Sequence, residues 1–120
     1  MKNTVVFDFD GVVHSYTSGW QGMLEIVDPP VPGIKDAIDE IREAGYFVVV
    51  VSTRCSTHDG REAIKQYLYE NDIRVDDITA HKPPAVVYID DRAIYFDGKP
   101  ETLLGKIQNF EVWNKDGKSV

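Results

Sequence analysis

Apolar residues in this chain follow two rhythms. Short unbroken runs, Val5-Val6-Phe7, Tyr46-Phe47-Val48-Val49-Val50-Val51 and Val86-Val87-Tyr88-Ile89, have the make-up of strands buried on both faces, as in a parallel sheet. Between the first two, Ile34, Ala37, Ile38 and Ile41 keep the spacing of a helix with one apolar face, entered through Pro32-Gly33 and stopped at Gly45. A second helix is expected from Gly60 or Arg61 to about Asn71, burying Ile64, Tyr67 and Leu68 while Glu62, Lys65 and Glu70 face water. Strand, crossover helix and strand in succession imply parallel pairing, so the fold class is α/β, a Rossmann-like three-layer domain with a mainly parallel sheet.

The remaining segments are less regular. Gly11 to Pro32 has no sustained period and is rich in Gly, Ser, Thr and Pro, and a connection of this length is uncommon unless it serves the site, so about 11–32 is a candidate flap. Tyr16, Trp20 and Met23 supply its apolar underside, which either pins the loop to the domain or touches a substrate. Ile78 to His81 reads as a short strand, and Lys82-Pro83-Pro84 breaks the chain before the Val86–Ile89 strand. Ala93 to Phe96 reads as a short edge strand before an Asp97-Gly98 turn. Leu103, Leu104 and Ile107 mark a last helix, Phe110 and Trp113 dock the tail, and from Asn114 the polar end frays.

Composition narrows the classes. With 120 residues, 42% hydrophobic and 28% charged, the chain suits a single domain over 1–120 with a real core. No apolar run reaches the roughly 18 residues of a membrane span, and nothing resembles a secretion leader. Cys55 is the only cysteine, so no intrachain disulfide forms, which suits a cytoplasmic location. A net charge of −7 disfavours binding to extended nucleic acid and leaves small phosphorylated partners open.

Three predicted strands end in polar clusters: Asp8 and Asp10, then Ser52, then Asp90 and Asp91. Ligands of open α/β sheets bind beyond the carboxyl ends of the strands, so the clusters are expected to converge. Four neighbouring carboxylates repel unless a cation sits among them, and oxygen-only ligands suit a hard divalent ion, with Mg2+ the obvious candidate. His14, His58 and His81 lack a ligand-like spacing and read as loop residues.

Asp8-Phe9-Asp10-Gly11-Val12, Ser52, Lys82 and Asp90-Asp91, in that order, resemble the four motifs of the haloacid dehalogenase-like (HAD) superfamily. The resemblance implies a sheet order of third, second, first, fourth strand. It also implies a Mg2+-dependent phosphohydrolase that cleaves a phosphomonoester through an aspartyl-phosphate. Asp8 matches the nucleophile, Asp10 the acid/base, and Lys82 the lysine that offsets the phosphoryl charge. Ser52, Thr53 and backbone near Gly11 match the phosphate-binding positions, with Arg54 a candidate to steer an anion. The metal set falls on Asp8, Asp10 through its main-chain carbonyl, Asp90 and Asp91. Neither insertion point of the superfamily has room for a cap domain, so the site is expected to be open to a large substrate or covered by another copy of the chain.

Two other readings compete. Cys55-Ser-Thr-His-Asp-Gly-Arg61 fits the C-x5-R loop of cysteine-dependent phosphatases, although Asp59 inside it would repel an anion. Receiver domains of signalling systems share the length, the acids, a hydroxyl residue and a lysine. In those domains, however, the phosphorylated aspartate follows a later strand.

Overall fold

Valine-rich runs make the two central strands, and their neighbours follow from the crossovers. In the computed structural model, which describes residues 3–114, β1 (Thr4–Asp8) is followed by α1 (Ile34–Glu43), β2 (Phe47–Val51), α2 (His58–Glu70), β3 (Asp77–Thr79), β4 (Val87–Ile89) and α3 (Leu103–Gln108). The four strands form one parallel sheet in the order β3-β2-β1-β4, the order expected. No helix among the described residues is long and apolar enough to cross a membrane.

One face of the sheet carries the main core. Val5, Phe7, Val48, Val50 and Ile78 pack there against Ile38 of α1 and Ile64, Tyr67 and Leu68 of α2, with Phe9 and Val13 from the following loop. Each large side chain buried here contributes about 1.5–3 kcal/mol. The opposite face holds a smaller cluster of Val6, Val49 and Val51, joined by Phe47 and by Ala85 of the β3–β4 connection. Among the described residues, no helical residue is part of that cluster.

Other departures have local causes. Helix α2 starts at His58, earlier than its periodicity suggests, because the Thr57 hydroxyl caps it by accepting the Gly60 N–H at 3.0 Å. Gly60 is required there, since a Cβ would run into the Arg54 carbonyl. The Val86–Ile89 run is no buried strand: among the described residues β4 pairs only with β1, at the edge of the sheet, and Val87 and Tyr88 are exposed. Ala93–Phe96 forms no strand. Asn114 is buried and donates to the Ser15 carbonyl at 3.0 Å, contrary to the frayed end expected from that point; residues 115–120 lie outside the described residues.

The 9–33 connection is folded onto the domain. The Phe9 carbonyl accepts from the Val12, Val13 and His14 amides at 3.2, 2.9 and 3.0 Å. The amides of Ser15 and Val31 donate to the Pro29 and Val13 carbonyls, each at 2.9 Å. Asp28 fastens the far side: its buried carboxylate accepts the Ser18 amide at 2.8 Å and the Ser18 hydroxyl at 2.6 Å, while the Tyr67 hydroxyl donates to its carbonyl at 2.9 Å. Burial works against ionisation of Asp28, but the two Ser18 donors outweigh it and hold its carboxyl below the usual range.

Candidate active site

Strand register builds the site. Phe7 is level with Val50 and Ile89 on its two neighbours, so the next residues, Asp8, Val51 and Asp90, reach the same rim of the sheet, with Ser52 one step further. There Asp8, Asp90 and Asp91 each present a carboxylate oxygen, all within 4.8 Å of one another. Gly11 makes this possible. It has φ +90°, and a Cβ on it would occupy the space of the Asp91 carboxyl.

Crowding sets the charge state of the trio. Burial is the largest influence on Asp8, followed by the Asp90 charge and the contact with Asp91, and together they push it up to about 8. Asp91 is also raised, chiefly by burial and then by Asp90. Burial raises Asp90 too, but the Arg92 N–H and the Lys82 ammonium outweigh it, and Asp90 is lowered. The Arg92 amide donates to Asp90 at 3.0 Å and Lys82 Nζ lies 3.3 Å from the other carboxylate oxygen. Three clustered oxygens, one of them keeping a proton to about pH 8, are a donor set suited to a hard divalent cation.

Asp10 is not part of that trio. Its side chain turns toward Arg54, whose Nε donates to Oδ2 at 3.0 Å and whose second terminal nitrogen reaches Oδ1 at 3.3 Å. His14 Nδ1 lies 2.8 Å from Oδ1 of the same carboxylate. Because the Asp28 amide donates to His14 Nε2 at 3.1 Å, that nitrogen is the acceptor, so Nδ1 carries the hydrogen and donates to Asp10. His14 is thus a buried orienting residue, not the loop residue its spacing suggested. Sequence reasoning missed it, although its position four residues after Asp10 is a local signal.

Arg54 departs furthest from expectation. It is 0% exposed. Its remaining terminal nitrogen donates to the Gly22 and Met23 carbonyls at 2.7 Å each, and its guanidinium carbon sits 4.5 Å from the centre of the Trp20 ring. It is spent on Asp10 and on the 9–33 loop, and does not reach out to an anion. Gly11 departs too: its N–H donates to the His14 carbonyl at 2.8 Å, so it serves as space for Asp91 and offers no donor to phosphate.

Ser52 directly follows the last residue of β2. Its hydroxyl accepts the Arg54 amide at 3.1 Å, which leaves its own hydrogen to donate. Asp8, Asp10, Ser52, Thr53 and Asp91 line one cavity of about 260 Å3 together with Tyr16, Trp20 and Arg92. Lys82 stands at the rim beside Asp90, with its side chain 52% exposed. A larger hollow of about 570 Å3 lies at the other end of β2 and β3, among Lys35, Asp39, Arg42, Asp72 and Asp76. Its charges pair with each other, Lys35 with Asp39 at 2.7 Å and Arg42 with Asp76 at 3.0 Å, so it is a solvated ion-pair surface.

Burial pushes the Cys55 thiol up, the wrong direction for a nucleophile, and Arg61 donates to the Ile78 carbonyl at 3.2 Å. No protein-family model, curated protein or solved structure matches the chain.

Proposed function

We propose that this chain is a HAD-like, capless, Mg2+-dependent phosphohydrolase of phosphomonoesters. The observation that carries the reading is the meeting of Asp8, Asp90 and Asp91 within 4.8 Å at the strand ends, with Asp8 and Asp91 lining a cavity shared by Asp10 and Ser52. The four-motif resemblance supports it, as does the strand order β3-β2-β1-β4. Among the described residues, the β1–α1 and β2–β3 connections carry no inserted domain, in keeping with an open site.

Asp8, Asp90 and Asp91 would hold the cation. Bound there, Mg2+ supplies positive charge that keeps Asp8 ionised at neutral pH and offsets charge on the phosphoryl group. A carboxylate oxygen of Asp8 forms the bond to phosphorus while the ester P–O bond breaks, and the departing alcohol oxygen takes a solvent proton relayed through the Asp10 carboxylate. Water then attacks the aspartyl-phosphate, Asp10 takes its proton, and Asp8 is released with inorganic phosphate. Arg54 and His14 position Asp10 by donating to its carboxylate oxygens. The Ser52 hydroxyl donates to a phosphoryl oxygen, and Lys82, next to Asp90, adds a second positive charge at the rim.

The test is hydrolysis of p-nitrophenyl phosphate with Mg2+, with EDTA, and by Asp8→Asn and Cys55→Ser. Turnover that needs Mg2+, survives Cys55→Ser and is lost in Asp8→Asn is expected. Asp8→Asn retaining wild-type turnover refutes the aspartate mechanism. A stable aspartyl-phosphate without turnover would identify a signalling receiver instead.

A further inference from the structure

Trp20 has no part in holding the cation or the phosphoryl group, yet it lines the same cavity as Asp8 and Asp10 and remains 50% exposed. Its position is unusually determined for a half-exposed loop residue. One face of its ring rests on the Arg54 guanidinium at 4.5 Å, and that guanidinium is held by Asp10 and by the Gly22 and Met23 carbonyls. Two features of the backbone hold the loop in this path: Tyr16 sits at φ 62° and Gly19 at φ 72°, and the Gly19 amide donates to the Tyr16 carbonyl at 3.0 Å. A non-glycine residue in the left-handed region carries a conformational cost that loops at binding sites commonly bear. Tyr16 lines the cavity too, and its ring meets His14 edge-on at 5.8 Å.

We infer that Trp20 is a stacking platform for the leaving group, and that the substrate class is a nucleoside monophosphate with its base on the indole. The inference rests on the phosphohydrolase reading for the phosphate end alone. The acids, Ser52 and the fixed ring line one and the same cavity. A flat π-system is the ligand surface that gains most from a fixed indole, and bases stack on such a ring whatever their identity. Thr53, Arg92 and Tyr16, which line the same cavity, bring donors and acceptors of the kind a sugar requires. The net charge of −7 favours a mononucleotide over a polymer end.

Adenosine 5′-monophosphate and ribose 5-phosphate share the phosphoester and the sugar and differ by the base, so their ratio of kcat/KM isolates the platform. With Mg2+, wild type is expected to favour the nucleotide, and Trp20→Leu, which still covers Arg54 with apolar atoms, to lower that ratio about 5- to 150-fold. Trp20→Phe is expected to fall between them. Titration of indole fluorescence gives a readout independent of turnover: the nucleotide is expected to quench wild type saturably and Trp20→Leu much less, with ribose 5-phosphate quenching neither. An unchanged ratio or an absent quench overturns the platform. Quenching without turnover of either ester leaves the platform standing and refutes the phosphohydrolase reading, while turnover of both at equal efficiency does the reverse.

Discussion

Replacing Asp8 with asparagine removes one charge and almost no volume, which isolates the electrostatic cost of the acidic trio. In the ion-free protein, burial first, then the Asp90 charge and the contact with Asp91, carry Asp8 from the ordinary value of 3.8 to about 8. The folded chain therefore holds a proton that the unfolded chain releases. Stability tied to that proton is complete below about pH 4 and is lost as the pH rises through about 8. At 1.36 kcal/mol per pH unit the gap sets a ceiling of about 6 kcal/mol. Asp8 is only partly buried, and solvent screening lowers the expected gain of Asp8→Asn to about 2–3 kcal/mol at pH 9. For a domain of this size that is a rise in Tm of roughly 10 °C. The asparagine amide can also donate to Asp91, as a protonated Asp8 does. The assay is thermal unfolding followed by circular dichroism in EDTA from pH 5 to 9. The two proteins should converge toward the acidic end, with the variant ahead at pH 9. Parallel profiles, or a variant that melts lower at pH 9, would refute the electrostatic account of the trio.

Three further outcomes follow from the same geometry. Below about pH 8 a divalent cation must displace the Asp8 proton, so Mg2+ affinity should strengthen with pH and level off above that value; calorimetry at pH 7 in buffers of different ionisation enthalpy should register proton release on binding, and pH-independent affinity would count against it. Arg54→Met keeps an apolar stem but leaves the Asp10 carboxylate without its guanidinium, and should cost about 3–5 kcal/mol in urea unfolding; an unchanged midpoint would show that the clamp does not hold the loop. Gly11→Ala puts a methyl group into the Asp91 carboxyl at a left-handed φ, and should lower stability by about 1–3 kcal/mol and weaken Mg2+ binding, both read by melting with and without the ion.

The sheet was legible because valine runs and a helix of one apolar face leave few alternatives, and the acids could be placed because parallel strands deliver their ends to one rim. Edge position was not legible: Val86-Val87-Tyr88 has the letters of a buried strand but lies against β1 alone, so its apolar side chains face solvent. The same limit applies to Arg54. Its neighbours in sequence do not determine whether a guanidinium points outward or inward; the Gly22 and Met23 carbonyls that claim it lie more than thirty residues earlier. His14 and Asp28 were hidden for a similar reason, since the Asp28 amide that selects the imidazole tautomer arrives through a loop with no periodicity to read.

Trp113 donates its indole N–H to the Gly11 carbonyl at 2.8 Å across 102 positions of sequence. The ribosome therefore releases Asp8 and Asp10 well before the residue that fastens their turn, and a nascent chain stalled just after α3 would hold the acids without that anchor.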